Sequence, residues 1–326
     1  MFKRLAKAGI FTQIIVIILL SAVHYILPQA KLLPTADTGY TAPFGEWIYK
    51  LIADFPDLAQ PLVVLLITAL AIALNALLIR HDISPRQSLL PAITAIILMF
   101  FAPDAYHLIV TLACLILLLF SLHNVMGMYG QQYPFSKVLN ATFAISIASM
   151  ISPPVILFIF FVWFGFFTFR INSWREWVIS LMGIILPYFY LVLLYFWNDN
   201  LQYAVSLYGE LLNNYTFTIQ RPAPLEFVLL GLIVFWLIIS GTKFLADAGE
   251  KVISIRKKMW IISHFMLAGI AALSISGSAM MSLLPLVYIP AAAMIAYALS
   301  NGRRPWVHDV LLVLYIVVAI GIRMNL

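Results

Sequence analysis

Apolar positions in this chain run in long blocks rather than alternating with polar ones, and short polar breaks separate the blocks. A helix needs about 20 apolar residues to cross a hydrocarbon core of about 30 Å. On that ruler eleven membrane-spanning helices are predicted, at 8–28, 61–80, 87–103, 105–123, 137–152, 154–170, 176–197, 225–242, 259–278, 280–299 and 306–323. The breaks at Pro103-Asp104, Pro153-Pro154 and Gly277-Ser278-Ala279 are only two or three residues long, which predicts tight antiparallel hairpins. Two successive prolines cannot continue the preceding helix, so Pro153-Pro154 marks a hairpin tip.

Composition sharpens this picture. Hydrophobic residues make up 63% of the 326, charged residues 10%, and the mean hydropathy is +1.01. A soluble domain runs near roughly 45–50% and about 25%, so a chain this apolar cannot cover a water-soluble globule. The sequence predicts an all-α integral membrane protein whose residues 1–326 form a single polytopic domain. A soluble enzyme, a disordered chain, a coiled coil and a disulfide scaffold are excluded as its main body. Lys3, Arg4 and Lys7 precede an apolar stretch that ends in Tyr25-Ile26-Leu27-Pro28 without a small-x-small cleavage site, which predicts an uncleaved first span. The single cysteine, Cys114, lies inside an apolar run and reads as a small buried hydrophobe.

The net charge of +6 comes from basic residues in the short breaks, so it orients the chain in a membrane and does not point to nucleic acid. With the N-terminus cytoplasmic and the C-terminus outside, fifteen of the 19 basic residues fall on the inner side; Lys31, Lys50, Arg221 and Arg323 fall outside. Eight of the 13 acidic residues lie on the outer side. The first outer loop, 29–60, contains Phe44, Trp47, Ile48, Leu51 and Ile52 at helical spacing, with Glu46 and Lys50 an i,i+4 pair, which predicts an amphipathic helix on the membrane surface. A second outer loop, 198–224, is rich in tyrosine and asparagine, and the basic loop 243–258 faces anionic headgroups inside.

Candidate chemistry is sparse. The sequence contains no phosphate-binding glycine loop, metal-ligand spacing or nucleophile elbow, so neither cofactor nor metal is expected. No Asp, Glu, Lys or Arg falls in the middle third of any predicted span, which weakens a transporter of lipids or small molecules. Asn75, His123, Asn140 and His264 lie nearer the inner ends and read as interhelical contacts. Asp37, in Thr35-Ala36-Asp37-Thr38-Gly39, sits just outside the first span; it is either a general base toward an acceptor hydroxyl or ordinary turn chemistry. Asp104 and His107 put a carboxylate and an imidazole one turn apart at the second outer hairpin, where Asp104 also suits a helix N-cap. Arg221 and Arg323 are outer arginines against the orientation rule, suited to a lipid phosphate or to ordinary headgroups. In Ser173-Trp174-Arg175-Glu176-Trp177 a capping serine, an early glutamate and flanking tryptophans read as membrane anchoring.

Ser152-Pro153-Pro154, Asn172-Ser173-Trp174-Arg175-Glu176-Trp177 and Leu186-Pro187-Tyr188-Phe189 resemble an uncharacterised family of bacterial multi-pass inner-membrane proteins. In topology, a first span, an outer loop with a surface helix and an aspartate, and then short-tipped hairpins look like the membrane core of GT-C glycosyltransferases. That likeness implies transfer of a sugar from a polyprenyl-phosphate carrier at the outer face, with Asp37 as base and Arg221 or Arg323 on the phosphate. The chain departs from that pattern in its short first outer loop and in lacking an acidic partner for Asp37. The expected partners are membrane lipids, a polyprenyl-phosphate-linked sugar and other envelope membrane proteins. A non-catalytic scaffold or assembly subunit of an envelope complex is the alternative function.

Overall fold

The computed structural model describes residues 9–26, 42–100, 105–171, 173–202, 224–276, 280–302 and 305–325. Among them there is no strand. Twelve helices carry the architecture: α1 Ile10–Ile26, α2 Pro43–Ala53, α3 Pro56–Arg80, α4 Leu90–Leu98, α5 Ala105–Met126, α6 Phe135–Ile151, α7 Ile159–Phe169, α8 Trp174–Trp197, α9 Pro224–Glu250, α10 Ile253–Ile275, α11 Pro285–Asn301 and α12 Pro305–Asn325. Each apolar block read from the sequence is therefore at least partly helical. Five helices are long and apolar enough to cross a membrane: Asp57–Arg80, Leu108–Met126, Trp174–Trp197, Pro224–Glu250 and Ile253–Ile275. Ile10–Ile26, Phe135–Ile151, Pro153–Phe169, Pro285–Asn301 and Trp306–Ile322 are shorter apolar helices.

The block expected to span at 87–103 is the one that changes character. Of its described residues, 87–100, only Leu90–Leu98 is α-helical, and all nine of those residues are buried. At a rise of about 1.5 Å per residue such a helix covers less than half of a bilayer core. It survives because it lies inside the bundle against α11, whose residues Pro285 to Leu299 are also all buried. Ala291, Ala292 and Ala293 let the two backbones approach, and the Thr94 hydroxyl donates across the contact to the Ala292 carbonyl at 3.1 Å.

Around this pair the remaining helices pack in neighbouring sets. α3 and α1 flank α4, α9 and α10 flank α11, α12 lies against α9 and α11, and α5, α6 and α8 follow one another outward. Small side chains set the α6–α8 contact. Ser146 donates to the Ile184 carbonyl at 2.8 Å, and the Ser149 and Tyr188 hydroxyls meet at 2.8 Å. Gly183 lies so close to Thr142 that an added Cβ would come within 2.0 Å of its Oγ1. At Pro153-Pro154 helix α6 ends, as the sequence implied, and a 3-10 segment, Pro153–Phe158, turns the chain into α7.

The surface helix predicted in the first outer loop is α2, but its apolar residues do not share one face. Phe44, Ile48 and Ile52 pack on the bundle while Trp47 and Leu51 are exposed. Gly45 rests on the end of α6, where an added Cβ would meet the Ile151 carbonyl oxygen at 2.5 Å. At the start of α8 the Ser173 hydroxyl accepts from Arg175 N–H at 3.4 Å, as its capping role requires. Glu176 departs from the anchoring reading: it is 1% exposed, and its Oε2 has no hydrogen-bond partner. Cys114 is buried, with its Sγ 3.6 Å from the Ala148 carbonyl.

These contacts order three substitutions. Gly45→Ala and Gly183→Ala, each forcing a methyl into filled space, are expected to lower stability by about 1–3 kcal/mol. Gly231→Ala, with nothing within 4 Å of the added Cβ, is expected to raise it by about 0.5–1 kcal/mol through helix propensity. Thermal unfolding of the three variants in detergent checks the order, and an unchanged midpoint for Gly45→Ala contradicts the packing described.

Candidate functional site

α3 and α5 run in the same direction, and between them lies a groove of about 520 Å³. Its α3 wall is Ala69, Leu70, Ala73, Ala76, Leu77 and Arg80; its α5 wall is Ile116, Leu119, Phe120 and His123. Both sets recur at helical spacing, so each wall is one face of its helix. The three alanines make the concavity, since larger side chains there would fill it. Ile116 and Phe120 are exposed on the outer side, so the groove opens toward the bundle's surroundings. It is apolar along its length and basic at one end.

That end is built by two helix C-termini. α3 closes in a Schellman turn, in which Ile83 N–H donates to the Leu78 carbonyl at 2.9 Å and Asp82 N–H to the Ile79 carbonyl at 3.1 Å. Asp82 takes the left-handed conformation this turn requires, with φ 59°. The turn tucks His81 inward, 6% exposed, its ring 5.6 Å from that of His123. Its Nε2 is buried and has no hydrogen-bond partner. The α5–α6 connection follows at the same end, where Lys137 of α6 donates to the Gly127 carbonyl. α10 also begins there: Lys257 lies 5.6 Å above the ring of Tyr129, in the α5–α6 turn.

The groups that act on His81 are all basic. Burial pushes its pKa down to about 4, and Lys258, His123, Arg80 and Lys137 add to the shift in that order. Arg80, Lys137 and Lys258 thus act on one imidazole from α3, α6 and α10, and the second imidazole, His123, lies 5.6 Å from it. The arrangement can hold an anion. The groove lining holds no carboxylate, hydroxyl or thiol, and no group of three metal-ligating side chains occurs among the described residues.

The site residues expected from the sequence are not part of this cluster. Asp37, Asp104 and Arg221 lie outside the described residues. His107 falls in the first turn of α5 and Arg323 in the last turn of α12, but the side chains of both are outside the described set. Of the polar residues read as interhelical contacts, His123 lines the groove and His264 stacks on Phe164 at 5.1 Å. Asn75 is buried with its Oδ1 unpartnered, whereas Asn140 is exposed and makes no such contact. Arg80, Lys137 and Lys258 are among the fifteen inner basic residues, which the sequence marks only as orienting charges. His81, a single histidine beside Arg80 in a polar break, carried no pattern that set it apart.

No family model, no curated protein and no solved structure gives a significant match to this chain.

The buried imidazole makes a pH prediction. An unfolded His81 takes up a proton near its ordinary pKa of about 6.5, while the folded one resists until about 4. The unfolded state therefore binds more protons between these values, and stability falls as pH drops from about 6.5 to 4. His81→Gln removes this contribution, so the unfolding midpoint of the variant should depend less on pH across that window. Identical slopes for the two proteins would contradict the burial of the neutral ring.

Proposed function

We propose that this chain is an eleven-pass protein of the bacterial inner membrane, N-terminus cytoplasmic and C-terminus outside, that holds an anionic lipid in the α3–α5 groove. One observation carries this reading: an apolar groove on the lipid-facing side ends in Arg80 and His123. A lipid tail matches the walls, and a negatively charged head matches the end. The basic-inside orientation places that head in the inner leaflet. A polyprenyl-phosphate-linked sugar belongs to this class of ligand, because it joins a long apolar chain to a phosphate-bearing head.

Sugar transfer at the outer face, with Asp37 as base, is the catalytic form of the proposal. It would occur about one bilayer thickness, roughly 30 Å, from the basic end, and it draws nothing from the groove. Lipid holding alone is the non-catalytic form, which suits a scaffold or assembly subunit of an envelope complex. The groove favours binding over chemistry, because its lining is apolar apart from Arg80 and His123 and holds no carboxylate, hydroxyl or thiol.

Mass spectrometry of lipids that co-purify with the chain in mild detergent tests the binding. Anionic lipid is expected to be enriched over the membrane extract, and Ala73→Trp, which fills the groove, is expected to reduce it several-fold. A lipid profile equal to the bulk membrane and unchanged by Ala73→Trp would refute the groove as a lipid site. The catalytic form is checked separately by profiling surface glycans in a deletion strain, with wild-type and Asp37→Asn add-backs. Loss of one sugar that wild type restores and Asp37→Asn does not would establish transfer. Unchanged glycans assign the non-catalytic role.

A further inference from the structure

A second groove, of about 480 Å³, runs along the other half of α3, between that helix and α1. Ser21, Ala22 and Tyr25 of α1 line it, facing Pro61, Leu65 and Thr68 of α3. Gln60 Nε2 donates to the Tyr25 carbonyl and ties the end of α1 to the start of α3. Tyr25, Ile26 and Leu65 are exposed, so this groove too opens to the bundle's surroundings. It shares no residue with the α3–α5 groove, and no charged side chain lines it. His24, beside Tyr25, is turned into the bundle against Phe100. Asp57, one turn before Pro61, is the nearest charge along α3.

The polar groups of this lining are hydroxyls, and two of them have already committed their protons. Ser21 donates to the Ile17 carbonyl at 2.9 Å, and Thr68 donates to the Val64 carbonyl at 2.9 Å. Each oxygen keeps lone pairs that can accept. Pro61 has no N–H, so the Asp57 carbonyl loses the bond that a helix would give it, which adds an acceptor at the mouth. Apart from the Tyr25 hydroxyl, the groove therefore offers acceptors set in apolar walls. The linkages of a glycerol ester lipid are acceptors as well, and Ser21 or Thr68 could meet one only by giving up its helical bond. A ligand N–H or O–H adds a bond and breaks none. In apolar surroundings such a donor is costly to leave unpaired.

We propose that the α1–α3 groove holds a lipid that carries hydrogen-bond donors below its head, an amide N–H or a chain hydroxyl, with Ser21 and Thr68 as the acceptors. At about 1.5 Å per residue, Ser21 lies about 6 Å along α1 from Tyr25, and Thr68 about 10 Å along α3 from Pro61. The donors thus belong to the linkage and upper chain of the lipid, and the head remains at the mouth beside Tyr25.

Native mass spectrometry of the full chain tests this, with sphingomyelin and phosphatidylcholine of matched chains added in turn. Both carry the same phosphocholine head, and sphingomyelin adds an amide N–H and a hydroxyl at the linkage. Sphingomyelin is expected to be retained about threefold to tenfold better, as one additional hydrogen bond implies. The double variant Ser21→Ala, Thr68→Val keeps the shape of the groove and should abolish the preference while leaving phosphatidylcholine retention unchanged. Ala22→Trp, at an exposed position of the lining, fills the groove and should abolish the preference too. Ala73→Trp, which fills the other groove, should keep it. Equal retention of the two lipids, or a preference that survives the double variant, overturns the assignment of donors. A preference that survives Ala22→Trp places the lipid elsewhere and overturns the site. Either failure leaves the anionic site untouched, since the two grooves have no residue in common.

Discussion

A helix of nine residues buried among apolar side chains must have its end groups satisfied by something other than water, and this requirement organises the bundle. The last carbonyls of α4 have no partner within the helix, and leaving one bare in such surroundings costs several kcal/mol. The Tyr315 hydroxyl, from α12, donates to the Leu98 carbonyl at 2.6 Å. At the other end Gln13 of α1 uses both halves of its amide: Oε1 accepts from Leu89 N–H at 2.5 Å, and Nε2 donates to the Gln87 carbonyl at 3.1 Å. Thr94 closes the middle against Ala292 of α11. Three helices that are distant in sequence are thus fixed to one short segment by directional bonds, where apolar packing alone would specify their register only weakly.

The groove follows from that arrangement. With α4 buried against α11, α3 packs along its flank and reaches across to α5. Leu74 and Leu78 of α3 are buried in the bundle, while Ala69, Ala73 and Ala76 lie on its groove-facing side. Small side chains on that side leave a channel where leucines would have closed it. Arg80 and His123, near the C-termini of the two helices, line that end of the groove, and Lys137 of α6 donates to the Gly127 carbonyl just beyond α5. The dipoles of those two C-termini draw basic side chains to this end, and the turn after α3 then buries His81 among them.

The helical segments were legible because apolar block length is a one-dimensional property, readable without knowing neighbours. Their limits were less so. The block at 87–103 reads as a full helical span on hydropathy, but how short a helix can be inside a bundle depends on who satisfies its ends, and Tyr315 lies more than two hundred residues away. The apolar stripe of α2 misled for the same reason. Trp47 and Ile48 are both apolar, and only the way α2 packs on α5 and α6 decides which is covered. The basic end was illegible as a site because it gathers residues 80, 81, 123, 137 and 258 from three separate polar breaks, where Arg80, Lys137 and Lys258 read as orienting charges.

Orienting charges and binding charges are nevertheless different physical objects, and the difference is compensation. Lys243 satisfies the orientation rule, but Asp247 one turn along its own helix answers it, so it presents little net field. The charges around His81 gather from separate elements at a spot where burial already disfavours a further proton, and each raises the cost of the others. Like charges held together in a folded protein destabilise it unless some gain offsets the repulsion. The orientation rule counts charges per loop and sets no requirement that they converge; three basic residues scattered around the rim would orient the chain equally well. Convergence on one buried imidazole at the mouth of an apolar groove is what orientation leaves unexplained, and an anionic head drawn from the membrane explains it.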